Sequence, residues 1–162
     1  MILSEEQVLI RDTARAFARE RLAPGAEKRD RDHAFPAAEL AEMGELGFLG
    51  MVVPPDHDGA GTDYVSYALA LMEIAWAEGA TSTIMSVHNS VGCMPILTFG
   101  SAAQKQTYLR PMARGESLGC FCLTEPEAGS DAAAIKTRAV KDGQSYVLTG
   151  TKQLLASRRK AK

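Results

Sequence analysis

Apolar residues recur at helical spacing over the first two-thirds of the chain and at alternating positions over the last third, so the sequence predicts a change of architecture near residue 118. Ser4 and Gln7 stand at capping-box spacing with Leu3 and Val8 at the two staple positions, and Ile10, Ala14, Phe17 and Ala18 continue along one face. Pro24-Gly25 reads as the close of this first helix. A second helix is predicted from Pro36, with Leu40, Met43 and Leu46 turned inward and Gly47 as its left-handed exit. Residues 54–61, Pro-Pro-Asp-His-Asp-Gly-Ala-Gly, read as a non-helical loop, after which Asp63 can cap a third helix over 64–78. That helix is apolar nearly all round, with Leu69, Leu71, Met72, Ile74 and Trp76, and is expected to be buried. A fourth is predicted over 82–91, a short fifth from Pro95, and a sixth from the capping pair Ser101 and Gln104 to about Met112.

Residues 118–123 form a short apolar run suited to a buried strand, and 135–140 alternate apolar side chains with Lys136 and Arg138. Asp142-Gly143 offers a two-residue hairpin turn into a strand over 144–151. The fold class is therefore α+β: an all-α helical bundle over residues 1–117, followed by the start of an antiparallel β domain over 118–162. Two or three strands cannot close a sheet, so the β domain is expected to be truncated, with a frayed Lys- and Arg-rich tail over 154–162.

Composition narrows the function classes. In 162 residues the net charge is −2 and basic residues are spread along the chain, which gives no stripe to follow nucleic acid. No apolar run approaches the roughly 20 residues of a membrane span. Three cysteines, Cys93, Cys120 and Cys122, form an odd set in a chain with no signal peptide, which points to a reducing compartment and a cytoplasmic protein.

The densest chemistry lies in residues 122–131, Cys-Leu-Thr-Glu-Pro-Glu-Ala-Gly-Ser-Asp, at the seam between helices and strands. Thr124 offers a donor and an acceptor, Glu125 a charge, Ala128-Gly129 a close backbone approach and Ser130 another hydroxyl; such a loop can wrap a polar heterocycle and a phosphate. The same residues also suit an ordinary exit from a strand into a turn, and Asp131 could cap the segment after it.

This string resembles the first signature of the acyl-CoA dehydrogenases, which runs small residue, aliphatic, Ser or Thr, Glu, two free positions, small, Gly, Ser or Thr, Asp. The likeness extends to residues 3–7, to the 55–61 loop, to Gly100-Ser101 with Gln104-Lys105, and to 148–152, Leu-Thr-Gly-Thr-Lys. The resemblance implies a helical N-terminal domain, a middle β domain and a C-terminal four-helix domain that hold FAD between them, usually in a homotetramer. By position it places Phe121, Leu123 and Thr124 against the isoalloxazine ring, with Thr124 on its polar edge, and Ser130 on the cofactor phosphates or the CoA portion of the substrate. It also makes Ile84, Met85 and Val87 candidates for the wall of an acyl pocket, although their own pattern reads as core. The implied reaction removes the α proton of an acyl-CoA thioester with a carboxylate and passes a hydride from the β carbon to flavin, with an electron-transfer flavoprotein as acceptor.

Two departures from the pattern matter. Leu154, Leu155 and Ala156 stand where the family has an aromatic, an aliphatic and a Thr against the flavin, and the segment that carries the family's catalytic glutamate is not matched. No catalytic residue is therefore assigned, Glu125 is read as part of the cofactor loop, and the chain is expected not to be competent alone. Three other features carry no chemistry in this reading: residues 51–53 followed by Gly59-Ala60-Gly61 mimic a dinucleotide fingerprint, but two prolines intervene, Tyr64 takes the third glycine's place and no strand precedes Glu78; Cys120 and Cys122 lack a second ligand pair for a metal; and His57 and His88 read as loop and helix-surface residues. Rival readings are a non-enzymatic helical module that pairs through an apolar surface, and an acyl-CoA oxidase or flavin monooxygenase relative.

Overall fold

The computed structural model describes residues 2–154. Helices α1 (Glu5–Phe17), α2 (Ala23–Arg31), α3 (Ala37–Glu45), α4 (Tyr64–Ala77), α5 (Gly79–Val87), α6 (Met94–Phe99), α7 (Ala102–Gln104) and α8 (Arg110–Ala113) precede a two-stranded antiparallel sheet of β1 (Arg138–Asp142) and β2 (Ser145–Thr149). The expected α+β order is thus observed. The expectations for Leu155, Ala156 and the tail beyond them lie outside the described residues.

The helix starts follow their local signals. Ser4 and Ser101 each form a complete capping box with the Gln three positions on, and the Asp63 carboxylate accepts the amides of Val65 and Ser66. Gly47 takes its left-handed exit at φ 78°.

The stops differ from expectation. Pro24-Gly25 does not end the first helix, because a π turn over Ala18–Leu22 carries the chain from α1 directly into α2. The same device joins α5 to α6 through His88–Cys93 and α7 to α8 through Lys105–Leu109. Pro24, Pro95 and Pro111 each stand two residues after such a turn. A proline inside a helix has no N–H to give and presses on the carbonyl four residues back, and the wider turn relieves both demands. Ala23 N–H accordingly bonds the Ala18 carbonyl, five residues back, and Arg110 N–H the Lys105 carbonyl. At Gly25 a Cβ would lie 2.4 Å from Arg29 Nη1, so any larger residue there would make the guanidinium shift from its present bonds. The Arg29 guanidinium donates to the Leu22 carbonyl (2.6 Å), Glu39 (2.7 Å) and Glu78 (2.8 Å), tying the end of the first long helix to α3 and to the α4–α5 junction.

The main core joins Ala14, Phe17 and Ala18 to Leu40, Met43, Phe48, Leu49, Ala70, Ile74, Ile84 and Met85, with Phe17 and Phe48 edge to face at 6.2 Å. A smaller cluster of Val53, Cys93, Leu109, Met112 and Ala113 sits beside it. The expectation that α4 is buried is corrected. Only a stripe of Ser66, Ala70 and Ile74 is fully buried, flanked by partly covered Tyr67, Leu71 and Ala77, while Tyr64, Met72 and Trp76 are about two-thirds exposed and Arg19 stacks over the Trp76 ring at 5.5 Å. Leu46 likewise stays partly exposed.

His88 is the larger correction, because it is fully buried rather than on a helix surface. Its Nε2 faces the Met112 carbonyl at 3.0 Å and its Nδ1 accepts the Gly119 amide at 2.9 Å, which fixes the neutral tautomer with the proton on Nε2. Asn89, next in sequence and also fully buried, accepts Met51 N–H and donates to the carbonyls of Phe48 and Met85. Burial pushes the His88 imidazole below its ordinary value.

Between that lowered value and about 6.5 the unfolded chain binds the proton that the folded chain refuses, so stability is fully present above about pH 6.5 and declines as pH falls further. Urea midpoints at about pH 8 and pH 5.5 should show this decline, and it should flatten in His88→Gln. Asn89→Ala, which strands one buried amide and two carbonyls, should cost about 3 kcal/mol in the same measurement.

Candidate functional site

The 122–131 string begins on a segment that His88 holds in place through the Gly119 amide. Residues 118–124 form no helix, strand or turn, and Cys120 Sγ lies 3.7 Å from Cys122 Sγ on the same side, as alternation along a strand-like segment gives. They are not a strand, which corrects the expectation over 118–123. A strand needs a neighbour, and among the described residues only β1 and β2 pair as a ladder. The strand expected over 135–140 begins at Arg138, and the hairpin register Asp142↔Ser145 makes Gly143-Gln144 the turn, one residue later than expected. Gly143 supplies the positive φ (58°) at its first position.

At Thr124 the chain enters a tight turn in which Glu125 and Ala128 exchange both backbone hydrogen bonds (2.8 and 3.2 Å). Pro126 and Glu127 form its exposed tip. Asp131 does not cap the following 3₁₀ turn through its side chain; only its carbonyl does so, accepting Ala134 N–H at 3.2 Å.

Glu125 organises the loop. Its Oε2 accepts Lys136 N–H (2.7 Å); its Oε1 accepts Thr137 N–H (2.9 Å), the Thr137 hydroxyl and Lys152 Nζ (3.0 Å). The side chain is only 6% exposed, sheltered by its own loop and these partners rather than by a deep core. The Thr137 hydroxyl first, then the Lys136 amide and the Lys152 ammonium, hold its carboxyl down at about 2. Gly150 makes the arrangement possible, since a Cβ there would lie 2.1 Å from Thr137 Oγ1. Lys152 also donates to the Leu123 carbonyl (2.9 Å), and Gln153 N–H to the Thr124 carbonyl (2.9 Å).

The groups left unpaired are informative. Among the described residues neither the amide nor the hydroxyl of half-buried Thr124 has a partner, and a Cβ on Gly129 would meet only Thr124 Cγ2, at 3.9 Å. Phe121 and Leu123 are 39% and 36% exposed, and Ser130 is exposed. The loop therefore presents an apolar pair, an unsatisfied donor and acceptor, and open space, which fits a flat heterocycle with a polar edge. Ile84 and Met85 are core residues, with Met85 fully buried, and Val87 is half-buried on the same helix. Sequence reasoning missed Thr137 and Lys152 as loop anchors; their signal was weak, a Thr and a Lys standing 12 and 27 residues from the carboxylate they bind.

The other features carry less. Residues 51–53 lie in a turn, so no strand precedes Gly59-Ala60-Gly61 and the dinucleotide pattern has no structural basis. No group of three or more His, Cys, Asp or Glu among the described residues is placed to hold a metal, and no described helix is long and apolar enough to cross a membrane. A cavity of about 430 Å³ between α2 and α5 lies away from the loop, and Arg29, Glu78 and Thr81 in its wall already bond one another.

Comparison with known proteins agrees with this geometry. The family model described as "Acyl-CoA dehydrogenase, N-terminal domain" matches residues 4–116 and that described as "Acyl-CoA dehydrogenase, middle domain" matches 120–161. The chain is 50% identical over 150 residues to the mitochondrial short-chain specific acyl-CoA dehydrogenase of Mus musculus, covering 93% of this chain and 36% of that protein. It superposes with a TM-score of 0.92 and 41% identity on a chain of the Acidaminococcus fermentans electron transferring flavoprotein study, covering 96% of this chain and 41% of that one. With the FAD complex of an acyl-CoA dehydrogenase from Bacillus anthracis the values are 0.88 and 36%, covering 94% and 27%. The chain thus spans little more than a third of the length of the mouse relative, and over that span it belongs to the acyl-CoA dehydrogenase family.

Proposed function

We propose that this chain forms the helical domain and the first part of the middle domain of an FAD-dependent acyl-CoA dehydrogenase, divided at residues 117 and 118. The observation that supports the reading is Thr124: a half-buried residue whose amide and hydroxyl are left without partners among the described residues, while the carbonyls on either side of its peptide units are both bound. Bound FAD would supply a hydride acceptor for the β carbon of a CoA thioester. Phe121 and Leu123 would cover the ring and exclude water, the Thr124 hydroxyl and amide would fix its polar edge, and Ser130 would meet a phosphate of the cofactor or of CoA. Ile84, Met85 and Val87 would stiffen or line the acyl side. In this reading an electron-transfer flavoprotein takes the electrons and the full assembly is a homotetramer. A cytoplasmic location is part of the same proposal, supported by three cysteines that stand as thiols, although the mouse relative is mitochondrial.

Glu125 is not the base. A general base works best when its pKa lies near the operating pH, whereas this carboxyl is held at about 2 and both its oxygens already accept hydrogen bonds, Oε1 three of them. The 162-residue chain is therefore expected to bind flavin without oxidising an acyl-CoA. A second reading, a module that pairs with another chain through apolar surface, is favoured by one observation: Val140, Tyr146, Val147 and Leu148 are all exposed on a hairpin bare on both faces.

Titration of the purified chain with FAD separates the two readings. The first expects a perturbed flavin absorbance band and quenched fluorescence, with affinity about tenfold weaker in Thr124→Val, the loss of one hydrogen bond. A colourless oligomer with no flavin response supports the module and refutes the first. The anchor role of Glu125 has its own pH signature. Its folded value lies below the unfolded one, so its contribution is complete above about pH 4.3 and is lost as pH falls towards about 2. Protection of the Lys136 and Thr137 amides from hydrogen exchange should fall over that range, and should already be reduced near neutral pH in Glu125→Gln.

A further inference from the structure

The two carbonyls that bracket Thr124 are held by consecutive residues. Lys152 Nζ donates to the Leu123 carbonyl at 2.9 Å, and Gln153 N–H donates to the Thr124 carbonyl at 2.9 Å. In a trans peptide the carbonyl and the N–H point to opposite sides of the chain. Fixing the Leu123 carbonyl toward Lys152 therefore fixes the Thr124 N–H away from it, on the side where it has no partner among the described residues.

Lys152 is itself held. Its ammonium lies 3.0 Å from Glu125 Oε1, and that carboxylate is fixed in turn by the amides of Lys136 and Thr137 and by the Thr137 hydroxyl. The Lys152 side chain is 23% exposed and that of Glu125 6%, so the pair is sheltered and its geometry is not that of a free surface contact. An ammonium also does what a neutral donor does less well: it binds a carbonyl and a carboxylate at once and polarises the peptide whose N–H it orients.

We propose that Lys152, steered by Glu125, is a positioning residue that sets the direction of the Leu123–Thr124 peptide and so presents the Thr124 amide to the polar edge of the flavin. The flavin part rests on the function proposed above; the peptide-orienting part does not. Lys152 touches no reacting atom, and its effect passes through the backbone.

Lys152→Met keeps the stem and removes the ammonium. Its expected effects are an FAD affinity about tenfold weaker at unchanged melting behaviour of the helical core, and a displaced Thr124 amide resonance in the 1H–15N spectrum of the flavin-free chain, because the ¹⁵N shift reports on the hydrogen bond at the preceding carbonyl. Lys152→Arg, which keeps charge and donors, should recover most of both. Should Lys152→Met fail to fold, Thr137→Val removes one of the four donors that hold Glu125 without touching Lys152 or the loop, and should move the same resonance and weaken FAD binding in the same direction by a smaller factor. A Thr124 resonance unmoved in both variants, with FAD affinity equal to that of the parent chain, overturns the proposal. If the parent chain shows no FAD binding, the flavin reading fails on its own, and a displaced Thr124 resonance still supports the peptide clamp.

Discussion

A proline inside a helix withdraws one hydrogen bond and crowds the carbonyl four residues before it, and this chain meets that constraint at Pro24, Pro95 and Pro111. Each time the helix opens by one residue rather than stopping. The consequence is greatest at His88–Cys93, where the π turn carries His88, Asn89 and Cys93 into the interior. His88 then reaches the Met112 carbonyl and the Gly119 amide, and Asn89 the backbone of Phe48, Met51 and Met85. Two adjacent polar side chains thereby join α5 to the 48–51 turn, the end of α8 and the segment that leads to the 122–131 loop. Burying them is tolerable because their polar atoms are met by backbone groups.

How much of this could be read from the sequence depended on how far each residue's partners lie along the chain. Ser4, Asp63 and Ser101 need only residues two or three positions away, and all three caps form as expected. The two backbone groups that His88 binds stand 24 and 31 residues downstream, and the nearer Cys93 thiol at 3.6 Å is itself carried inward by the π turn, so the local pattern did not announce its burial. Pro24-Gly25 was legible as a disturbance but not as its outcome, because the π turn before it lets the helix run on and the Arg29 that lies over Gly25 is held by Glu78, 49 residues on. On α4 the pattern gave composition without cover: its residues are apolar all round, yet only Ser66, Ala70 and Ile74 are fully buried, with Tyr67, Leu71 and Ala77 partly covered at the margin of the core.

The candidate site divides in the same way. The turn between Thr124 and Ser130 was legible because a signature string is local, and the cofactor roles of Phe121, Leu123, Thr124 and Ser130 belong to the proposal built on it. The anchors were not. Thr137 and Lys152 are ordinary residues in a strand approach and a strand exit, and only the folded hairpin brings both to one carboxylate. The alternation over 118–123 is real, since Cys120 and Cys122 do share a side, but alternation specifies a face and not a partner.

The carboxylate's donors also explain how so small a sheet keeps its shape. An isolated two-stranded hairpin is marginal, and its open end frays first. Here the turn at Gly143-Gln144 closes one end, while at the other Lys136 and Thr137 lead into β1 and Lys152 follows β2. Glu125 binds all three, so a single side chain from the preceding loop clips the open end across both strands. The relation is mutual: the hairpin holds the carboxylate that shapes the loop, and the loop supplies the charge that holds the hairpin closed. The same four donors thus couple the direction in which Thr124 faces to the pairing of β1 with β2.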